Sequence, residues 1–304
     1  MTPPSDVLVT GAGGFVGSAL AEGFLALGWR VIAVDRAFDA PTRARLVAAR
    51  LVTTDLTAAP TDDLPEASVI VHAAAITTDP VELGWTPAAH IAANVQPLLA
   101  LLTHAARTTP RAFVFLSSSG VFAPGDGAEC LRDTDVPTSR TPYAVAKRAG
   151  ERLTLEALDG IAAHVVRLGY LYGPHELVRP SRIRVSLVAR WIEAARRGEP
   201  LVVPANDPRR DWTCVSDLAP ALARLVMAPP AAAPVHLASP HVVADSAMAA
   251  LIAALVPGAR VETGPAIAGM KAPMQPSDLD RLGPLSWTSP ADGLAALAGA
   301  EVRA

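Results

Sequence analysis

The stretch TGAGGFVG, Thr10 to Gly17, follows directly on the apolar run Val7 to Thr10 and opens a segment of helical character that continues to about Leu27. Its glycines at 11, 14 and 17 leave room for backbone N–H groups at a helix N-terminus to approach an anionic group closely. A strand, a glycine turn and a helix at the first junction of the chain predict the opening unit of a parallel α/β sheet whose turn cradles a dinucleotide.

Working outward, short β-branched runs alternate with longer Ala/Leu segments. Strands are expected at Arg30–Val34, Leu51–Thr53, Val69–His72, Ala112–Ser117 and Ala163–Leu168, with helices at Pro87–Arg107 and Pro142–Leu158, the first tolerating Pro97 as a kink. This alternation predicts a doubly wound parallel sheet of the Rossmann kind over residues 1–174. After Gly173-Pro174 the rhythm changes to an Arg-rich helix near Arg182–Arg197, a strand near Leu201–Val203, a Pro-rich loop over Pro204–Arg209 and a further helix. Residues 175–304 are therefore expected to form a smaller α/β substrate lobe, with a segment near 235–245, including Val235–Leu237, returning to the main sheet.

Asp35 ends the second expected strand, eighteen positions beyond Gly17. A carboxylate there accepts the adenosine ribose hydroxyls and repels a 2′-phosphate, which favours NAD over NADP; the neighbouring Arg36 softens the choice. Further along, Thr141-Pro142-Tyr143 reads as an N-cap, an N1 proline and a helix start, and Lys147 lies four residues beyond Tyr143 on the same face. A phenol with a pKa of about 10 takes a proton near neutrality only when neighbouring positive charge stabilises its anion. Lys147 is placed to supply that charge, making Tyr143 the general base in alcohol oxidation or the acid in ketone reduction.

The G-x-x-G-x-x-G turn, the segment Ser117-Ser118-Ser119-Gly120-Val121-Phe122, the Tyr143/Lys147 pair and the run Arg210-Asp211-Trp212 with Val215-Ser216-Asp217 together resemble the extended short-chain dehydrogenase/reductases, the NAD-dependent epimerase/dehydratase family. The resemblance covers nearly the whole chain and is specific mainly in its first half. It implies that Gly11, Gly14, Phe15, Val16, Gly17 and Asp35 bind NAD together with Asp55 and Leu56 at the adenine and Ala73, Ala74 and Ala75 after the fourth strand. It implies that Lys147 and Tyr143 also contact the cofactor, that Ser118, three before Val121, sits beside the reacting oxygen, and that Asn94 supports a proton relay. Counting serines forward implicates Ser119 instead, and an Asn within a helix is equally a structural kink.

The same resemblance assigns Ser119, Tyr170 and Arg210 to the substrate. In relatives the arginine holds a substrate diphosphate, although Arg209 and Asp211 beside it also permit a purely structural ion pair. Departures mark the pocket: Phe122-Ala123 replaces the usual Tyr-Gly, Tyr170 replaces an asparagine, and the loop Pro204–Pro208 lacks the frequent G-D-G. Relatives also imply a homodimer built on the helices at Pro87–Arg107 and Pro142–Leu158.

Composition bounds the alternatives. A net charge of −3 leaves no footprint for nucleic acid or an anionic membrane, and two isolated cysteines, Cys130 and Cys214, suggest neither a disulfide framework nor a zinc site but fit a reducing cytoplasm. The start of the chain, Met1 to Asp6, has no export-signal character. The expected activity is NAD-dependent hydride movement at a secondary alcohol or ketone of a small polyhydroxylated substrate, a sugar acid or related hydroxy compound first. The alternatives are a nucleotide-sugar 4-epimerase or dehydratase that retains NAD, and a non-catalytic dinucleotide sensor, against which the intact Tyr143 and Lys147 speak.

Overall fold

Strand β1 (Asp6–Thr10) buries Val7, Leu8 and Val9 on both of its faces, the pattern of an interior strand in a parallel sheet. The computed structural model describes residues 5–58, 63–277, 279 and 283–301, so the first four residues of the N-terminal stretch read above lie outside the described ones. In chain order follow α1 (Phe15–Ala26), β2 (Arg30–Asp35), α2 (Ala40–Arg45), β3 (Arg50–Thr53), β4 (Val69–His72), α3 (Pro87–Thr108), β5 (Ala112–Ser118), α4 (Pro142–Glu156), β6 (Ala162–Leu168) and β7 (Tyr170–Tyr172). The remainder comprises α5 (Leu187–Arg196), β8 (Leu201–Pro204), β9 (Arg209–Cys214), α6 (Leu218–Leu225), β10 (Val235–Leu237), β11 (Val242–Ala244), α7 (Asp245–Leu255), β12 (Val261–Gly264) and α8 (Pro290–Glu301).

Seven parallel strands form the main sheet in the order β10-β6-β5-β4-β1-β2-β3. The winding direction reverses between β1 and β4, and at such a point the loops after the two strands part to leave a crevice. Period-two alternation divides the core: Val7, Val9, Val71 and Leu116 pack with Leu20 and Phe24 of α1 on one face, while Leu8, Ile70, Phe113 and Phe115 pack with Leu98 and Leu101 of α3 on the other. Pro97 is accommodated inside an unbroken α3, which starts on the Thr86 cap and ends at Thr109 in the left-handed region.

The lobe carries the three-stranded sheet β11-β9-β7 and the pair β12-β8 around Tyr172, Trp191, Trp212 and Met248. Its composition differs from the sequence expectation in two places. The returning segment begins well before 235, because Val215, Leu218, Leu222 and Leu225 join the α1 side of the main core and lead into β10; it ends at Leu237, since β11 pairs with β9 in the lobe. The helix expected from Arg182 starts only after the Ser186 cap, because the preceding backbone is committed to a tight turn: Arg179 and Arg182 bond each other across it, and Ser181 O accepts from the Thr77 and Thr78 N–H groups at 2.8 and 3.2 Å. Among the described residues no helix is long and apolar enough to cross a membrane.

Helices α1 and α6 touch through small residues, and a Cβ added at Gly23 would collide with that of Ala219. Gly23→Ala is expected to lower stability by roughly 1–3 kcal/mol in denaturant unfolding, overriding the helix-propensity gain of about 1 kcal/mol. A stabilised variant would contradict this packing.

Candidate active site

The turn after β1 is built to exclude side chains. Gly11 adopts a φ of 69°, and a Cβ there would come within 2.6 Å of Ala74 Cα, while one on Gly17 would collide with the Gly11 carbonyl oxygen. Helix α1 begins after Gly14 with no side-chain cap and no acid in its first turn, so the leading N–H groups of Phe15, Val16 and Gly17 are left to an anion. Asp35 closes the turn from β2: one carboxylate oxygen accepts from Gly13 N–H at 2.9 Å and the other from Ala37 N–H at 3.3 Å. Gly13 was not singled out in the sequence; its signal was the doubled glycine at 13–14.

Around this cradle, Asp55 accepts both the N–H and the hydroxyl of Thr57, which with the nearby Arg36 hold its carboxyl below the usual range. Leu56 packs at the edge of the second core, and Ala73 to Ala75 follow β4, half-buried, against the glycine turn. A crowded glycine turn, an uncapped helix end and a strand-end carboxylate together fit a dinucleotide. Beneath it, His72 Nδ1 lies 2.7 Å from Thr10 Oγ1 and ties the ends of β4 and β1. Complete burial, aided by the charge of Lys147, pulls this imidazole down to about 3, so it is neutral.

Thr141 caps α4 by accepting from Ala144 N–H at 3.2 Å, which sets Tyr143 on the first turn and Lys147 on the next. Ser118 ends β5; its Oγ accepts from Gly120 N–H at 3.0 Å and lies beside Gly120, as does the Tyr143 ring. The phenol ring lies against the 118–120 turn, 3.1 Å from where a Gly120 Cβ would be. Ser118 is thus the serine brought to Tyr143, while Ser119 is buried and accepts from Lys271 through its carbonyl at 2.7 Å.

Lys147 Nζ donates to the Leu116 carbonyl at 2.7 Å and lies 5.7 Å from the Tyr143 ring centroid. Burial pulls it to about 8 against the opposing pull of Glu151. One turn further along α4, Glu151 accepts from Ser117 Oγ at 2.6 Å and from both arms of Arg167 at 2.8 Å, a buried network whose sequence signal was the repeat of Tyr143, Lys147 and Glu151 at intervals of four. Burial raises the Tyr143 phenol above its ordinary value, and the Ser118 hydrogen bond and the Arg182 guanidinium oppose that rise. Arg182 reaches the site from the lobe, 5.6 Å over the Phe15 ring and paired with Glu176 at 2.5 Å.

The Asn94 side chain is engaged by backbone groups. Its side chain accepts from Ile76 N–H at 2.9 Å and donates to the Ile76 and His90 carbonyls, so it pins the loop after β4. On the substrate side, Arg210 Nε and Nη2 are closed on the two oxygens of buried Asp245 at 2.6 and 2.8 Å, and its guanidinium lies 4.7 Å over the Tyr170 ring. The ion pair that the sequence allowed therefore exists, but with Asp245 rather than with Asp211. Asp211 instead accepts from Tyr170 and Met274 N–H groups at 3.2 and 3.1 Å, and burial pushes its carboxyl up to about 6. Neither Asp245 nor Lys271 had a local motif to announce it.

The neutral state of His72 has a consequence for acid stability. Its folded value lies below the ordinary 6.5, so the unfolded chain takes the proton first; this contribution is fully present above about pH 6.5 and is lost as pH falls toward 3. His72→Asn is expected to flatten the stability slope across that window by up to about 1.4 kcal/mol per pH unit. An unchanged slope in pH-resolved unfolding would contradict the assignment.

Comparison with known proteins places this geometry. The profile of the NAD dependent epimerase/dehydratase family matches residues 7–237. An uncharacterised UDP-glucose epimerase of Bacillus subtilis (strain 168) is 30% identical over 233 residues, 69% of each chain. UDP-glucuronic acid decarboxylase 4 of Arabidopsis thaliana is 31% identical over 236 residues, 72% of this chain and 50% of that protein, so the chain spans about half the length of this relative. Among solved structures, MoeE5 in complex with UDP-glucuronic acid and NAD superposes with a TM-score of 0.80 at 27% identity, over 98% of this chain and 99% of the other. The UDP-glucose 4-epimerase of Thermotoga maritima shares the fold with a TM-score of 0.82 at 21% identity, over 98% and 99% of the two chains. The chain therefore belongs to the NAD dependent epimerase/dehydratase family and is an NAD-dependent enzyme of the extended short-chain dehydrogenase/reductase type.

Proposed function

We propose that the chain oxidises a secondary hydroxyl of a nucleotide-linked sugar and reduces the resulting ketone again with NAD retained, the epimerase outcome. The observation that carries this is the gathering of the Ser118 hydroxyl and the Tyr143 ring around Gly120 at the end of β5, with Lys147 one helical turn away. The likeness to a UDP-glucose epimerase and to MoeE5 supports the nucleotide-linked substrate.

Tyr143 takes the proton of the sugar hydroxyl while Ser118 hydrogen-bonds the same oxygen. Lys147 holds a positive charge one helical turn from the phenol and, with Tyr143, would contact the nicotinamide half of a bound cofactor; Asp35 and the turn at Gly11, Gly14 and Gly17 would hold its adenosine and pyrophosphate. Bound NAD supplies the hydride acceptor and further positive charge. The chain's own groups leave Tyr143 protonated near neutrality, so proton abstraction is tied to the cofactor being in place. Asn94 acts by fixing the Ile76 loop beside the cleft.

A second reading, net oxidation of a free sugar acid, is favoured by Arg210: its fork is closed on Asp245 and is not offered to a diphosphate. The two readings separate in one assay, in which purified protein is given UDP-sugars or free sugar acids and both NADH and isomerised product are followed. Isomer without net NADH supports the first reading, and stoichiometric NADH from a free acid supports the second.

Tyr143→Phe is expected to lower product formation by about 10²–10⁴-fold and Ser118→Ala by about 10²-fold, with NAD affinity little changed in both. Turnover of Tyr143→Phe at the wild-type rate would overturn the mechanism.

A further inference from the structure

Of the 26 Lys and Arg residues in this chain only two are lysines, Lys147 and Lys271. Exposed positive charge is carried by arginine, for instance at Arg30, Arg152 and Arg184, so lysine is not this chain's ordinary means of carrying a solvated charge. Both lysines lie at the same place. Lys147 comes from α4 and donates to Leu116 O, whereas Lys271 comes from the segment after β12 and donates to Ser119 O, each at 2.7 Å, so that they grip the strand end and turn that carry Ser118. Burial pulls both ammonium groups to about 8. Lysine differs from arginine in offering a compact point charge with three donors and a pKa that burial can move.

Lys271 is half-buried, and its neighbours leave its charge without a direct counterion. Among the described residues no carboxylate lies in ion-pair contact with Nζ; its contacts are the Ser119 carbonyl and the face of Tyr170, whose ring centroid is 5.8 Å away. The nearby acids are engaged elsewhere, Asp211 on two backbone N–H groups and Asp245 on Arg210. A partly desolvated ammonium with unused donors is stabilised by an incoming anion, and this one sits one residue from Ser118.

We infer that Lys271 is a substrate-binding residue that pairs with a carboxylate on the sugar ring, so that the substrate is a uronic-type sugar rather than a neutral hexose. The inference rests on the proposed hydride chemistry at Ser118 and Tyr143 and adds the substrate class. Lys147 serves the reacting hydroxyl, and Lys271, bonded to the turn at Ser119, selects and orients the acid group.

The test is calorimetric titration of the NAD-loaded protein carrying Tyr143→Phe, with and without Lys271→Met, using UDP-glucuronic acid, UDP-glucose and free glucuronic acid as probes. Loss of a charge-assisted hydrogen bond predicts a weakening of UDP-glucuronic acid by about 10–100-fold in Lys271→Met, with UDP-glucose unchanged within about twofold. With Lys271 present, affinity for the acid falls as pH rises through about 8, where the ammonium loses its proton, while affinity for UDP-glucose stays flat. Lys271→Arg keeps part of the preference for the acid, and unchanged NAD binding shows that the variants are folded. Equal weakening of both UDP-sugars, the signature of a diphosphate contact or a structural role, overturns the inference, as does an acid bound no more tightly than the neutral sugar. Free glucuronic acid bound in a Lys271-dependent way without either UDP-sugar sustains Lys271 while removing the nucleotide. Turnover by the wild-type protein reads the hydride chemistry separately from all of these.

Discussion

The hydrogen bond from Lys147 Nζ to the Leu116 carbonyl, 2.7 Å long, sets a charged group inside the protein against the end of a central strand. Removing an ammonium from water costs several kcal/mol unless its surroundings replace the lost solvation. Here the replacement comes from the carbonyl, from the faces of Phe115 and Tyr143 at 4.8 and 5.7 Å, and from Glu151 one turn along the helix. Glu151 is a buried charge in turn, and the register of β5 and β6 supplies its partners by setting Ser117 opposite Arg167. One buried charge thus fixes the polar interior of α4, β5 and β6, and the parallel pairing of the strands decides which side chains can serve it.

The opposite wall of the cleft comes from residues far apart in the chain. Arg210 and Asp245 form a closed pair, Asp211 ties the loops at Tyr170 and Met274 together, and Lys271 reaches across to Ser119. This wall holds polar groups at low exposure because each carboxylate accepts an N–H donor on each of its oxygens, which is how buried acids are tolerated. The lobe stacked behind it, around Trp191, Trp212 and Met248, is an apolar platform that keeps β9, and with it Arg210 and Asp211, at the cleft.

What could be read from the sequence was local. The glycine turn joins β1 to α1 within a few residues, Thr141 caps the helix that carries Tyr143 and Lys147, and the strands of the main sheet are apolar runs; each signal is contained in one window of the chain. Strand β9 escaped because it opens with the charges Arg209, Arg210 and Asp211; the first is exposed, and the other two are buried only because Asp245, Tyr170 and Met274 meet them. The segment from Arg182 read as helix by composition, yet its first residue closes a tight turn with Arg179 that Thr77 and Thr78 hold through Ser181 O. Lys271 lies 152 residues from the serine it touches, and no window spans such a distance.

On the proposed mechanism Tyr143 becomes a base only when positive charge from the cofactor joins that of Lys147. The direct measurement is the phenol's own titration by ultraviolet difference spectroscopy, Tyr143→Phe serving as the blank, with and without saturating NAD. The phenol is expected to titrate above its ordinary value in the free protein, to drop toward neutrality when NAD binds, and to fail to drop in Lys147→Met. A Tyr143 titration that NAD leaves unmoved would contradict it.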